Sequence, residues 1–193
     1  MAFYNEMLSG FGDILIAPFK SLDVLWVLVP LFILWIVLEI YFAKYQKEKV
    51  GWNTALANGI TLGWITLTGM RAVFSSKPED FWLRFAANIV ILVYASILMY
   101  GSFTHKISPK WNFVLASPTP VYFLGVFSVM WSYGTLDISR YVLLDLVILF
   151  ILIVILIHIF RYFSKPAGIE REGEEVPSLE ELEEKMPPKL PPE

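Results

Sequence analysis

Cysteine is absent from this chain of 193 residues, and only two histidines occur, His105 and His158. The absence of cysteine excludes disulfides, thiol redox chemistry and cysteine nucleophiles. The chain also contains no HExxH, CxxC or GxSxG pattern, so the sequence predicts neither a zinc protease site nor a serine hydrolase site. These absences predict a protein without cofactor or metal, and they favour a non-enzymatic role.

Charge is scarce as well. Charged residues make up 17% of the chain, against about 25% in soluble domains, and they form no basic patch of the kind that binds nucleic acid. Apolar residues make up 56% and gather in five stretches, at residues 22–41, 52–73, 85–103, 113–131 and 141–160. A helix of about 20 residues spans the hydrocarbon core and satisfies its own backbone hydrogen bonds there. The sequence therefore predicts an all-α, multi-pass bundle of five transmembrane helices over residues 21–163.

The segments on either side of this bundle differ from it. Residues 1–20 place apolar side chains near helical spacing, which predicts an amphipathic helix lying in the bilayer interface. Membrane anchoring is the simpler interpretation of this helix, and a gating or partner-binding element is the alternative. Residues 164–193 are acidic and rich in proline, which predicts a disordered cytoplasmic tail. A capping box at Ser178 and Glu181 leaves open a short helix that docks on a cytoplasmic partner.

Basic residues in the short connections predict the orientation of the bundle. One set of alternating faces carries eight of them: Lys44, Lys47, Lys49, Lys106, Lys110, Arg161, Lys165 and Arg171. The opposite set carries five: Lys20, Arg71, Lys77, Arg84 and Arg140. Because basic residues are enriched in cytoplasmic loops, this bias predicts a cell-membrane protein with its N-terminus outside and its C-terminus in the cytoplasm.

The second stretch is the least apolar, but it carries small residues at a regular spacing. Gly51, Ala55, Gly59 and Gly63 follow one another at intervals of four and so lie on one helix face. Small residues let helix backbones approach closely in lipid, and Gly59 and Gly63 form a GxxxG pair. We therefore expect this face to pack against another helix. A re-entrant or interfacial segment is the alternative.

Among the polar side chains inside the predicted spans, five are candidates for an intramembrane polar site: Glu39, Asn58, Asn88, Asp145 and His158. Such residues mark function or helix pairing, because a polar group in lipid needs a partner. In the predicted topology Glu39 and His158 share the cytoplasmic end. Asp145 shares the outer end with Arg71 and Arg84. Structural pairing between helices, or hydration close to the interface, is the favoured interpretation, and a proton or ion pathway is the alternative.

The fourth stretch contains the unusual run Ser117, Pro118, Thr119 and Pro120. Each proline removes a backbone donor and forces the preceding residue out of the helical region. We therefore predict a bend or break between Ala116 and Val121, which frees carbonyl groups. Neighbouring helices satisfy such carbonyls in architectural kinks, whereas broken helices build substrate sites in some transporters.

These patterns predict a membrane subunit or scaffold that associates through its helix faces, either with another protein or with copies of itself. The alternative is a small channel or transporter that uses the polar face of the second helix and the proline-broken fourth helix. A lipid-modifying enzyme ranks third.

Overall fold

The structure, a computed structural model, describes residues 2–45 and 51–164, with side chains from Met7 onward. The predicted tail helix and proline-rich segment lie outside the described residues, as do Lys47 and Lys49 of the first basic loop. The described residues are helical and contain no strand, which confirms the all-α fold class.

Seven α-helices follow one another along the described residues. They are α1 (Ala2–Ile16), α2 (Leu22–Lys44), α3 (Trp52–Ser76), α4 (Phe81–Thr104), α5 (Pro109–Leu115), α6 (Pro118–Ser132) and α7 (Arg140–Phe163), with one 3-10 turn at Ala17–Phe19. Four of the predicted stretches are each covered by a single helix, and the fourth stretch is covered by α5 and α6 together.

Three of these helices, α2, α4 and α7, are long and apolar enough to cross a membrane, and the bent pair of α5 and α6 makes a fourth if it counts as one span. α3 has 25 residues, or about 37 Å at 1.5 Å per residue, so its length suffices. Its threonine and asparagine residues make α3 less apolar than α2, α4 and α7, and it is not counted with them. The membrane bundle is thus supported at three to four spans, and the fifth span stays a prediction.

Two apolar cores hold the helices together. One joins α2 and α6 to the start of α7 and includes Val24, Leu28, Val129 and Leu146. The other joins α3, α4 and α6 through residues such as Leu62 and Leu98. α3 is central, since it packs extensively against α4 and also against α6.

α7 lies at the periphery of the bundle. It buries only Val142, Asp145 and Leu146, all near its N-terminal end. It packs mainly against α1, with smaller contacts to α2 and α6. Most of its length is therefore open to the surroundings of the bundle, which in a membrane are lipid.

Candidate functional site

The small-residue face of α3 lies largely against α4. Ala55, Gly59 and Gly63 are buried. A Cβ atom built on Gly59 would lie 3.2 Å from the backbone nitrogen of Met99, whereas one on Gly63 would meet only side-chain atoms at 3.8 Å or more. Gly51 is exposed at the N-cap of α3 and has no neighbour there. The close contact is centred on Gly59, and it joins two helices of the same chain.

The predicted helix break occurs at the Ser-Pro-Thr-Pro run. α5 and α6 meet at 41°, and Ser117 between them has an extended backbone with ψ at 154°. Pro118 then starts α6 at the first helical position, where proline has no intrahelical hydrogen bond to lose. Pro120 lies in the same first turn. The two prolines therefore end one helix and begin the next within three residues.

Neighbouring helices meet the carbonyl groups at this break. Asn58 of α3 donates from Nδ2 to the Ala116 carbonyl at 2.8 Å. Tyr94 of α4 donates to the Leu115 carbonyl at 2.7 Å. The remaining amide oxygen of Asn58 lies 3.3 Å from the hydroxyl of Tyr122 in α6. The break thus serves as a junction at which α3 and α4 hold α5 and α6 in place.

A polar cluster from three helices lies at the end of the bundle that the basic residues assign to the cytoplasm. The Glu39 carboxylate of α2 accepts a hydrogen bond from Thr119 of α6 at 2.7 Å. It also accepts one from the Arg161 guanidinium of α7 at 2.8 Å. Glu39 is only 7% exposed, so the charge-assisted bond satisfies a carboxylate that burial would otherwise destabilise.

His158 does not join this cluster, although the sequence places it at the same end of the bundle. Its ring is exposed, and Nδ1 lies 3.2 Å from the Val154 carbonyl of its own helix. Arg161, three residues further along α7, takes the position beside Glu39 instead. Arg161 lies nearer the end of α7, and its long side chain reaches the Glu39 carboxylate, whereas the His158 ring stays against its own helix.

An apolar groove runs from this cluster along the bundle. It lies between α2, over residues 32–40, and α7, over residues 153–160, and its volume is about 550 Å³. Its lining side chains are large and apolar, with one ionisable exception, Glu39 at its end. The α7 residues that line the groove are half-buried or exposed.

A second polar cluster ties α4 to α6 near the opposite end. Asn88 donates to the Ser132 hydroxyl at 2.9 Å and accepts from the Ser128 hydroxyl at 2.8 Å. One turn earlier, Arg84 donates to the Trp131 carbonyl at 2.7 Å. These side chains are buried, so the amide and the guanidinium act here as connections between helices.

Asp145 is the exception among the buried polar residues. It is 0% exposed, and neither carboxyl oxygen has a hydrogen-bond partner among the described residues. Its pairing with Arg71 or Arg84, as the sequence analysis expected, is wrong: Arg71 is exposed and Arg84 binds Trp131 and Asp80. The reason is topological, because the start of α7 packs beneath α1 and away from α3 and α4. A Cβ atom built on Gly10 of α1 would overlap Oδ2 of Asp145.

Sequence reasoning missed the role of Arg161, which it counted only as a loop charge. The usable signal was depth in the membrane, because Glu39 and Arg161 carry opposite charges and both lie within two helical turns of the predicted cytoplasmic end of the bundle. It also missed Tyr94, because a tyrosine in an apolar stretch carries no signal for a hydrogen bond to a distant carbonyl.

No group of three or more histidine, aspartate or glutamate side chains within residues 2–45 and 51–164 could hold a metal ion. Comparisons of the chain with models of protein families, with curated proteins and with solved structures found no match.

Proposed function

We propose that this protein is a multi-pass membrane subunit or scaffold that associates with another polypeptide, or with a second copy of itself, through the outward face of α3. The proposal places all five spans in the cell membrane, with the N-terminus outside and the C-terminus in the cytoplasm. The observation that carries it is a stripe on the outer face of α3 in which alanine, two half-buried threonines and arginine accompany one exposed tryptophan.

The stripe consists of Ala57, Thr61, Trp64, Thr68 and Arg71, whose spacing of four and three residues keeps them on one helix face. Ala57 and Arg71 are exposed, and Trp64 is 73% exposed. The hydroxyls of Thr61 and Thr68 donate to carbonyls of their own helix, and each oxygen can still accept a bond.

Such a face suits a protein neighbour better than lipid. Alanine and threonine permit close approach of a second helix, and polar side chains can bond across the contact. Lipid tails offer no hydrogen-bond acceptor for the guanidinium of Arg71. The outward face of α7 differs, because its exposed residues from Leu143 to Phe160 are large and apolar with the single exception of His158. Of these two helices, α3 therefore carries the surface better suited to contact with a partner helix.

The interior contacts favour architecture over transport. A channel or transporter built on the break between α5 and α6 needs the freed carbonyl groups to face water. The carbonyls of Leu115 and Ala116 instead accept hydrogen bonds from Tyr94 and Asn58. A lipid-modifying enzyme would need His158 beside Glu39, and these side chains lie apart.

Site-specific photo-crosslinking in native membranes tests the proposal. A photoreactive amino acid at Thr68 is expected to give a specific adduct, either a dimer of this chain or a single partner identified by mass spectrometry. The matched control is Val93, which is 52% exposed on α4 outside the stripe. Equal crosslinking from both positions, or none from Thr68 while the chain remains folded, would contradict the assignment of this face.

A further inference from the structure

We propose that the groove between α2 and α7 binds one phospholipid of the cytoplasmic leaflet whose headgroup carries a phosphate and a primary ammonium. One acyl chain lies along the groove, the phosphate contacts Arg161 and the ammonium contacts Glu39. This inference uses the orientation of the proposed function but not its partner surface on α3, so either can fail without the other.

The shape of the groove selects a flexible chain. Its α2 wall runs from Phe32 to Ile40, a rise of eight steps, or about 12 Å along the helix axis. A volume of about 550 Å³ lies in the range of ordinary small-molecule sites. The groove therefore accommodates a slender apolar ligand along the length of two to three helical turns.

The lining residues argue against a helix as the occupant. Helices associate in lipid where small residues let their backbones approach. The groove presents phenylalanine, tryptophan, leucine and isoleucine side chains, and no glycine, alanine or serine lines it. A helix about 10 Å wide could not settle between such walls, whereas an acyl chain can bend around each side chain.

The charges at the end of the groove select the headgroup. The Arg161 side chain is 36% exposed and the Glu39 side chain 9% exposed, with their charged atoms 2.8 Å apart. Guanidinium groups bind phosphate oxygens through paired N–H donors. A carboxylate has about four acceptor positions, so Glu39 can accept from an ammonium N–H in addition to Thr119 and Arg161. A phosphate and an ammonium joined by a short linker match this pair of charges.

Depth in the membrane agrees with this assignment. Arg161 lies two residues before the end of α7, and Glu39 lies five residues before the end of α2. Both are thus within about 8 Å of the helix ends, where headgroups and hydrocarbon meet. The hydrogen bond from Thr119 holds the Glu39 carboxylate in place beside the end of the apolar groove.

The headgroup chemistry gives the test its specificity. A primary ammonium donates N–H bonds, a trimethylammonium cannot, and a glycerol headgroup leaves the phosphate charge beside Glu39 uncompensated. The full-length protein, purified in detergent, would be titrated with phosphatidylethanolamine, phosphatidylcholine and phosphatidylglycerol of identical acyl chains. Native mass spectrometry measures the bound fraction. We expect phosphatidylethanolamine to bind about tenfold more tightly than the other two, the difference that one charge-assisted bond supplies.

Two pairs of variants separate the headgroup contact from the groove. Glu39→Gln should remove most of the preference for the primary ammonium, and Arg161→Gln should weaken binding of all three lipids. Ile157→Trp fills the groove and should abolish retention, whereas Ile155→Trp alters an exposed position of α7 outside the groove and should leave it unchanged.

Equal binding of the three lipids by the native protein would overturn the headgroup assignment. Retention that survives Ile157→Trp in a monodisperse, folded sample would overturn the groove. A dimer that Ile157→Trp dissociates would show that a second copy occupies the groove, which also overturns the proposal. If a charge variant fails to fold, the headgroup series on the native chain and the two tryptophan variants still decide the outcome.

Discussion

The carboxyl group of Asp145 faces the backbone of Gly10 at the place where α1 packs on α7. Glycine at this position allows the contact, since any Cβ atom there would overlap Oδ2 of Asp145. The buried carboxyl, without a hydrogen-bond partner among the described residues, is thus covered by one turn of a helix that is itself mostly exposed.

Replacing Gly10 with alanine should therefore loosen α1 from the bundle. The added Cβ collides with Asp145, and we expect a destabilisation of about 1–3 kcal/mol, as overpacking produces elsewhere. Thermal unfolding of the purified protein, followed by tryptophan fluorescence, measures the change. Gly12→Ala is the matched control, because a Cβ there meets nothing within 4 Å and alanine favours a helix by about 0.5–1 kcal/mol. Equal stability of the two variants would contradict the contact.

Gly59 should tolerate alanine less well than Gly63. At Gly59 the new Cβ would lie 3.2 Å from the Met99 nitrogen and 3.3 Å from the Ala95 carbonyl oxygen, and backbone atoms cannot rotate away. We expect Gly59→Ala to lower the free energy of unfolding by about 1–3 kcal/mol. At Gly63 the contacts are ordinary, at 3.8 and 3.9 Å, so alanine should be neutral or stabilising. The reverse order, measured in the same unfolding assay, would show that α3 and α4 are further apart.

Asn58→Leu should destabilise the helix break. The substitution keeps the size of the side chain but leaves the Ala116 carbonyl without its donor, at a cost of about 1–3 kcal/mol for a buried acceptor. Asn53→Leu on the exposed face of the same helix is the control and should have little effect. If the Asn58→Leu variant unfolds at the same temperature as the native protein, the hydrogen bond to Ala116 contributes nothing to stability.

The topology can be measured directly, because the chain contains no cysteine. A cysteine at Ser76, exposed at the end of α3, should react with an impermeant maleimide from outside the cell. Cysteines at Lys47 and Gly173 should react only after the membrane is opened. Labelling of positions 76 and 173 from the same side would show that one of the predicted spans between them does not cross the membrane, and would contradict the five-span topology.

Local effects explain what could be predicted from the sequence. The helix break follows from Pro118 and Pro120, which act on their own backbone whatever surrounds them. The close approach at Gly59 follows from side-chain size and helical spacing. Neither pattern names the neighbour, however, and nothing in the sequence indicates that α4 covers Gly59 or that Asn58 meets the break.

The polar partners escaped prediction because they depend on which helices are adjacent. Glu39 and His158 share an end of the bundle, but the rotation of α7 about its axis decides that Arg161 is the residue that faces α2. Asp145 was expected beside arginines because it shares their depth. Depth is set by sequence position, whereas adjacency is set by packing of the whole bundle.

The contact between α1 and α7 joins the first and last helices of the described chain. In synthesis from the N-terminus, α1 is made before the other described helices, and α7, on which it packs, is made after the five that lie between them. Until then Gly10 has no carboxyl to cover, and Ile14 has no α7 side chain beside it. A nascent chain halted before Arg140 could assemble α2 to α6 around α3, but its N-terminal helix would stay undocked. The docking of α1 therefore requires that all seven described helices have been made.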